Sequence, residues 1–284
     1  MTKYAPSWLQ LREDADAAAR ATELIEPVRS FLKTQALSST QDEVVIRDLG
    51  CGTGSLGRWL ARRLPGRQRW ILHDRDNDLL THALARTSRP DHALDGSEVT
   101  VVTEQRDITE LTAADLAGTS LVAASALLDL LTAEEMTRLA EACVEAGCAV
   151  LFTLSVSGRV VLSPKEKFDI EISDAFNAHQ RRVTDGRWLL GPDAVDVAFG
   201  VFERLGATVR RASSHWRLGA DQSALTAEWL AGWVAAACDQ RAELVPDADA
   251  YLQWRLSQCA AGELNAVIQH EDLLVLPPKR EVAG

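Results

Sequence analysis

Between residues 43 and 156 the chain alternates short β-branched, apolar runs with stretches whose apolar positions recur every three or four residues. The runs at 44–49, 69–73, 99–103, 121–125 and 149–156 have strand length and strand composition. The stretch 55–64 reads as a helix stopped by Pro65-Gly66. Residues 77–86 read as a second, with Leu79, Leu80, Ala83 and Leu84 on one face. A short helix that Thr112 caps and Gly118 ends is expected after the third strand. Thr132 and Glu135 form a capping box for a helix with Met136, Leu139, Ala140, Cys143 and Val144 at helical spacing, closed by Gly147. Further on, 192–205 predicts a helix with proline in its first turn, and 208–212 and 272–276 supply two more strands. Strands alternating with helices predict an α/β fold: a doubly wound, mostly parallel seven-stranded sheet covered on both faces. Three additions lie outside it: an N-terminal helical arm (5–38), an insertion (157–190) and a tryptophan-rich helical segment (225–262). The whole reads as one domain with embellishments.

Composition narrows the class. The 284 residues are 46% hydrophobic, enough for a sizeable core, and carry a net charge of −11. Proteins that grip nucleic acid draw affinity from Lys and Arg on phosphates, so this balance argues against that partner. The start has no apolar core of signal-peptide length. The longest near-apolar run, 121–131, contains Asp129 and falls short of the ~20 residues a membrane span needs. The expectation is a soluble cytoplasmic protein without a membrane partner. Its five cysteines form no CxxC pair, so free thiols are expected rather than disulfides or a metal site.

The chemistry concentrates in VVIRDLGCGTGSLGRWL, residues 44–60. Gly52-x-Gly54-x-x-Gly57 is a GxGxxG, compatible with a dinucleotide or with S-adenosylmethionine, and Asp74 about twenty residues on suits the ribose of either. Asp48 separates the two. An anion at the end of the first strand sits poorly beside a pyrophosphate and well beside an ammonium and a sulfonium. DLGCGTG (48–54) resembles the first motif of class I S-adenosylmethionine-dependent methyltransferases of the small-molecule type. HDRD (73–76) is similar to the end of their second strand, and QRDITE (105–110) to the acidic segment after their third. The resemblance covers residues 43–156 and implies the Rossmann-like methyltransferase fold, with a last antiparallel strand at 272–276 and S-adenosyl-L-methionine as cofactor. It implies that Gly50, Gly52 and Gly54 admit the methionyl part, that Asp48 organises its end, and that Asp74, with Arg75 beside it, takes the ribose. Asp107 and Ile108 would meet the adenine, and Ser125 at the end of the fourth strand joins this set. It further implies an arm folded over the cofactor, with Arg12 at the methionyl carboxylate and Trp8 over the pocket. On this division, 1–40 is the arm, 41–156 the cofactor-binding core and 157–284 the substrate side.

After the fourth strand the chain runs Ser125-Ala-Leu-Leu-Asp-Leu130, without the Asn/Asp-Pro-Pro-aromatic motif of methyltransferases that act on nucleobase amines. The acceptor is therefore read as a small polar metabolite, most plausibly methylated on oxygen. Asp129 is either a pocket residue or a cap for the following helix. An alcohol must lose its proton, so a histidine base is expected. His179, in the insertion, is the first choice; His215 and His270 stay open. Residues 157–190 hold six Lys/Arg against five Asp/Glu, unlike the acidic whole. That composition makes Arg181, with Asn177 nearby, a candidate contact for an anionic substrate. Trp229, Trp233 and Trp254 are candidates to line the substrate site, although at helical spacing Trp229 and Trp233 read more readily as core. Two other readings remain: an NAD(P)-dependent oxidoreductase using the GxGxxG, and a catalytically silent cofactor-binding protein.

Overall fold

The computed structural model describes residues 5–38, 42–87 and 92–278. The arm is two helices, α1 (Pro6–Ala19) and α2 (Ile25–Ser38). Then come β1 (Val44–Leu49), α3 (Ser55–Ala61), β2 (Gln68–Asp74), α4 (Asn77–Thr87), β3 (Val99–Gln105), β4 (Leu121–Ser125), α5 (Ala133–Ala146) and β5 (Ala149–Ser163). After β5 the chain forms α6 (Phe168–Gln180) and a small hairpin, β6 (Val183–Thr184) with β7 (Arg187–Trp188). It continues through α7 (Ala194–Arg204), β8 (Thr208–Ser213), β9 (Trp216–Leu218), α8 (Ser223–Gln240), α9 (Val245–Ala260) and β10 (Asn265–Leu276).

The main path of the sheet runs β3-β2-β1-β4-β5-β10-β8, with β9 pairing to the outer part of β10. β10 is antiparallel to both neighbours, and the pairs from β3 to β5 are all parallel. This is the doubly wound, mostly parallel sheet of the Rossmann-like methyltransferase fold. Strand alternation sends successive residues to opposite faces, and here both faces are dry. Val122, Ala124, Val150 and Phe152 pack under α5 and α7. Leu121, Ala123, Ala149 and Leu151 pack under α2, α3 and α4.

Three expectations need correction. No helix forms at 112–118: Asp115 accepts from the Thr112 amide and hydroxyl at 2.9 and 2.7 Å and pairs with Arg106 at 2.8 Å, which closes a turn instead. The insertion does not begin at 157, because β5 runs on to Ser163 and pairs with β10 from Asn265. The final strand is correspondingly twelve residues long. These two long strands carry a third apolar cluster, in which Trp216, Trp233 and Tyr251 pack with α6, α8 and α9.

Candidate functional site

A cavity of about 960 Å³ opens at the carboxyl ends of β1 to β4, where the strand order reverses. Its floor is the β1–α3 loop. Gly50 and Gly52 hold φ of +64° and +55°, a region that disfavours side chains. A Cβ built on Gly52 would lie 3.0 Å from Leu9 Cδ1 of α1, so the arm lies directly over this loop.

Asp48 ends β1 beneath it, 1% exposed, and neither carboxylate oxygen finds a hydrogen-bond partner. Burial pushes its pKa up to about 7, against the opposing pull of Arg20. Asp74 ends β2 and accepts from the amides of Gly52 (3.0 Å) and Asp76 (2.9 Å), which locks it to the glycine loop. Asp107 follows β3. Burial works to raise its pKa, but the Thr109 amide and hydroxyl, at 2.9 and 2.8 Å, outweigh it and hold the carboxylate below its ordinary value. Arg75, Ile108 and Ser125 also line the cavity, and Ser125 Oγ lies 3.3 Å from Arg20 Nη2. Gly54 does not line it; it caps α3 at φ +78°.

The arm supplies Trp8, Leu9, Arg12 and Asp16 to the wall. Arg12 Nε bonds the Asp16 carboxylate at 3.0 Å, and its guanidinium lies 4.9 Å from the Trp216 ring. Asp16 also accepts from Trp216 Nε1 at 3.0 Å. Asp129 lines the cavity, with its pKa raised to about 6 by burial. The box that caps α5 is formed by Thr132 and Glu135 without it.

The insertion contributes differently from expectation. Phe176 and Gln180 of α6 share a helix face and reach the wall, whereas Asn177 and His179 flank that face and do not. Asn177 Nδ2 donates to the Gly158 carbonyl at 2.7 Å. His179 has its pKa lowered by burial and by Arg182, with Asp239 opposing. Arg181 is held in a two-bond pair with Asp193 at 2.5 and 2.7 Å. Of the insertion's arginines the wall receives Arg187, paired to Glu135 at 2.6 and 2.9 Å.

The remaining lining groups come from later elements, and His270 is among the histidines that the sequence leaves open. His270, in β10, is 4% exposed with Nδ1 unpartnered, and burial first, then Arg12 and His215, lowers its pKa to about 3, so it is neutral. Trp216 and Trp229 complete the wall, and Trp229 stacks on the buried Trp233 at 5.1 Å. Ala126 and Leu154 hold positive φ (51° and 55°) at the cavity edge; such strain in residues with side chains persists only where the surroundings fix it. Asp272 supplies that restraint at Leu154, accepting from its amide at 2.7 Å and from Ala21 at 2.8 Å.

No protein-family model matches the chain, and no curated protein matches it. Solved structures resemble it at low identity. The cyclopropane synthase MmaA2 from Mycobacterium tuberculosis is 12% identical over 89% of this chain and 83% of that one, with a TM-score of 0.47. A putative sarcosine dimethylglycine methyltransferase from Galdieria sulphuraria is 12% identical over 90% and 86%, with a TM-score of 0.43. The magnesium protoporphyrin IX methyltransferase from Synechocystis PCC 6803 is 14% identical over 67% and 76%, with a TM-score of 0.38. What the site binds follows from its own geometry.

Proposed function

We propose that this protein is an S-adenosylmethionine-dependent methyltransferase acting on a small molecule. The observation that carries the proposal is Asp48: a buried carboxylate with both oxygens unpaired, behind a loop of left-handed glycines and facing a cavity. Arg20 and the Gly57 amide offset the burial of this charge only in part, so this position calls for a cationic group from a ligand. The methionyl ammonium and the sulfonium answer that call; the pyrophosphate of a dinucleotide would oppose it.

On this reading Asp74 takes the ribose hydroxyls, Asp107 and Ile108 meet the adenine, and Arg12 and Trp8 close the methionyl side. Bound S-adenosylmethionine supplies an electrophilic methyl group. The chain supplies alignment and exclusion of water, and orientation alone is worth ~7–11 kcal/mol in such displacements. Leu9 and Trp8 of the arm cover the loop, and Leu127 and Leu154 wall the space beside it. An oxygen acceptor was expected to use His179 as base; with His179 off the wall, the groups that meet an acceptor are Asp129 and neutral His270. No described helix is long and apolar enough to cross a membrane.

Calorimetry with S-adenosylhomocysteine and with NADH tests the proposal. Micromolar binding of the first and none of the second is expected, and the reverse would return the oxidoreductase reading. Gly52→Val, forced to carry a β-branched side chain at φ +55° against Leu9, is expected to abolish that binding while the circular dichroism spectrum is retained.

A further inference from the structure

We infer that the acceptor is an organic amine, held as its ammonium by Asp129 among the aromatic side chains of the outer cavity. The inference rests on the proposed methyltransferase activity only in calling the bound amine an acceptor.

Four observations lead there. The first is the state of Asp129: it lines the cavity and takes no hydrogen bond or ion pair from any other described residue. The two arginines whose charges reach it are engaged elsewhere. Arg12 Nε is bonded to Asp16, and Arg182 Nη1 to the His179 carbonyl at 2.9 Å. The second is the aromatic part of the same cavity's wall. Trp8, Phe176, Trp216 and Trp229 converge from α1, α6, β9 and α8, with Val156 and Val160 of β5 between them. Aromatic faces attract cations, and the attraction grows when water is excluded. Arg12 already uses Trp216 in this way.

The third is charge. Nine acidic residues line the cavity against four arginines, so an anionic ligand would meet a repulsive field and a cation an attractive one. The fourth is what the remaining polar atoms want. Gln180 Oε1 is buried and unpartnered, and the neutral His270 offers an unpartnered ring nitrogen. An ammonium brings up to three N–H donors to such a set, and a carboxylate brings none. The expected anion contact, Arg181, is neutralised by Asp193 and lies off the wall.

The same carboxylate has a second task. A protonated amine has no lone pair to give, so one proton must leave nitrogen before attack. An Asp129 oxygen, next to the ammonium, is placed to take it, and the freed lone pair would then form the N–C bond as the sulfonium's C–S bond breaks, the thioether leaving neutral.

The test is calorimetry with three probes that share one body: 2-phenylethylamine, 2-phenylethanol and 3-phenylpropionate. Each is titrated into the free protein and into the S-adenosylhomocysteine complex. The amine is expected to bind about tenfold or more tighter than the alcohol, as a charge-assisted pair implies, with the acid weakest. Asp129→Asn, nearly isosteric, is expected to bring the amine down to the level of the alcohol while S-adenosylhomocysteine affinity stays within about twofold. Trp229→Leu is expected to weaken the amine by about threefold more than the alcohol. Tighter binding of the acid, or an amine preference that survives in both variants, would overturn the inference. Failure of S-adenosylhomocysteine to bind the wild type would defeat the methyltransferase reading alone, because the amine preference is read in the free protein too.

Discussion

At the scale of single residues, the proposed reading has Asp48 and Asp74 divide the work of the cofactor side. Burial holds Asp48 up to about 7, against the opposing charge of Arg20, with Asp74 adding to the rise and Arg58 countering it. In the unfolded chain the same carboxyl titrates near ~3.9. Between those values the folded state holds a proton that the unfolded state has lost. Stability therefore falls as pH climbs through this window, by up to ~1.4 kcal/mol per unit, and the loss is complete above about 7. Asp48→Asn escapes the loss. It is expected to melt above the wild type at pH 8 and level with it near pH 4, yet to bind S-adenosylhomocysteine at least tenfold more weakly, for want of the charge that meets the ammonium. Equal melting at pH 8 would mean that water already compensates the carboxylate. Asp74→Ala is expected to cost tenfold or more in calorimetric affinity, since a carboxylate accepting from ribose hydroxyls is worth ~1.5–3 kcal/mol. It also loses the Gly52 and Asp76 amides that anchor the loop, so Asp74→Asn, which keeps one acceptor, should recover part of the binding. Both aspartates were legible because each sits within a few residues of a glycine loop or a strand end. His270 was legible only as one open histidine among several, and Trp216 and Gln180 were not singled out, because a place on the wall depends on long-range packing such as His270 beside Val156 and Trp216 beside Ile268.

At the scale of elements, the arm lines the cavity and would join the proposed cofactor and acceptor sides. α1 is fastened at three points: Glu13 to Arg58 at 2.8 Å and Arg86 at 2.8 Å, Asp16 to Trp216 at 3.0 Å, and Trp59 Nε1 to the Ala17 carbonyl at 3.1 Å. Through Arg58 and Arg86, Glu13 ties the arm to both α3, the glycine loop's own helix, and α4, and it does not line the cavity. Two partly exposed pairs contribute together about 1 kcal/mol after screening. Glu13→Gln should thus loosen the arm without unfolding the sheet. Faster amide exchange across residues 6–16 is expected, with S-adenosylhomocysteine about fivefold weaker and little change in the exchange of β1 or β4. Unchanged exchange in α1 would show that the Trp216 and Trp59 contacts hold the arm by themselves. The arm was readable as helical, and every strand of the main sheet was readable as a strand. The full length of β5 was not, because Ser157-Gly158-Arg159 breaks the apolar alternation where the strand leaves the core. Gly158 sits at φ +74°, and its carbonyl is taken by Asn177. The absent helix at 112–118 has the opposite cause. Its capping residues were genuine, but so short a segment gains too little from nucleation to outweigh a turn closed by Thr112, Asp115 and Arg106.

At the scale of the whole molecule, charge is the property that acts before any contact forms. The chain carries −11, and acidic residues outnumber arginines around the cavity, so its field reaches an approaching ligand through solvent. The range of that field is set by salt: about 30 Å at 0.01 M and about 8 Å at 0.15 M. An amine acceptor should feel the change and an alcohol of the same shape should not. For methyl transfer to an arylalkylamine, kcat/KM is expected to fall several-fold as ionic strength rises across that range, with kcat at saturation unchanged, because screening alters encounter and leaves the closed site alone. The corresponding alcohol should give a flat line at every salt concentration, and an aryl carboxylate a rising one. The three slopes separate steering by the whole protein from recognition by Asp129. Asp129→Asn removes one charge of many, so it should flatten the amine slope only slightly while raising its KM. If the amine slope vanishes with that single substitution, the field that matters is local to Asp129, and the net charge of the chain serves solubility rather than capture.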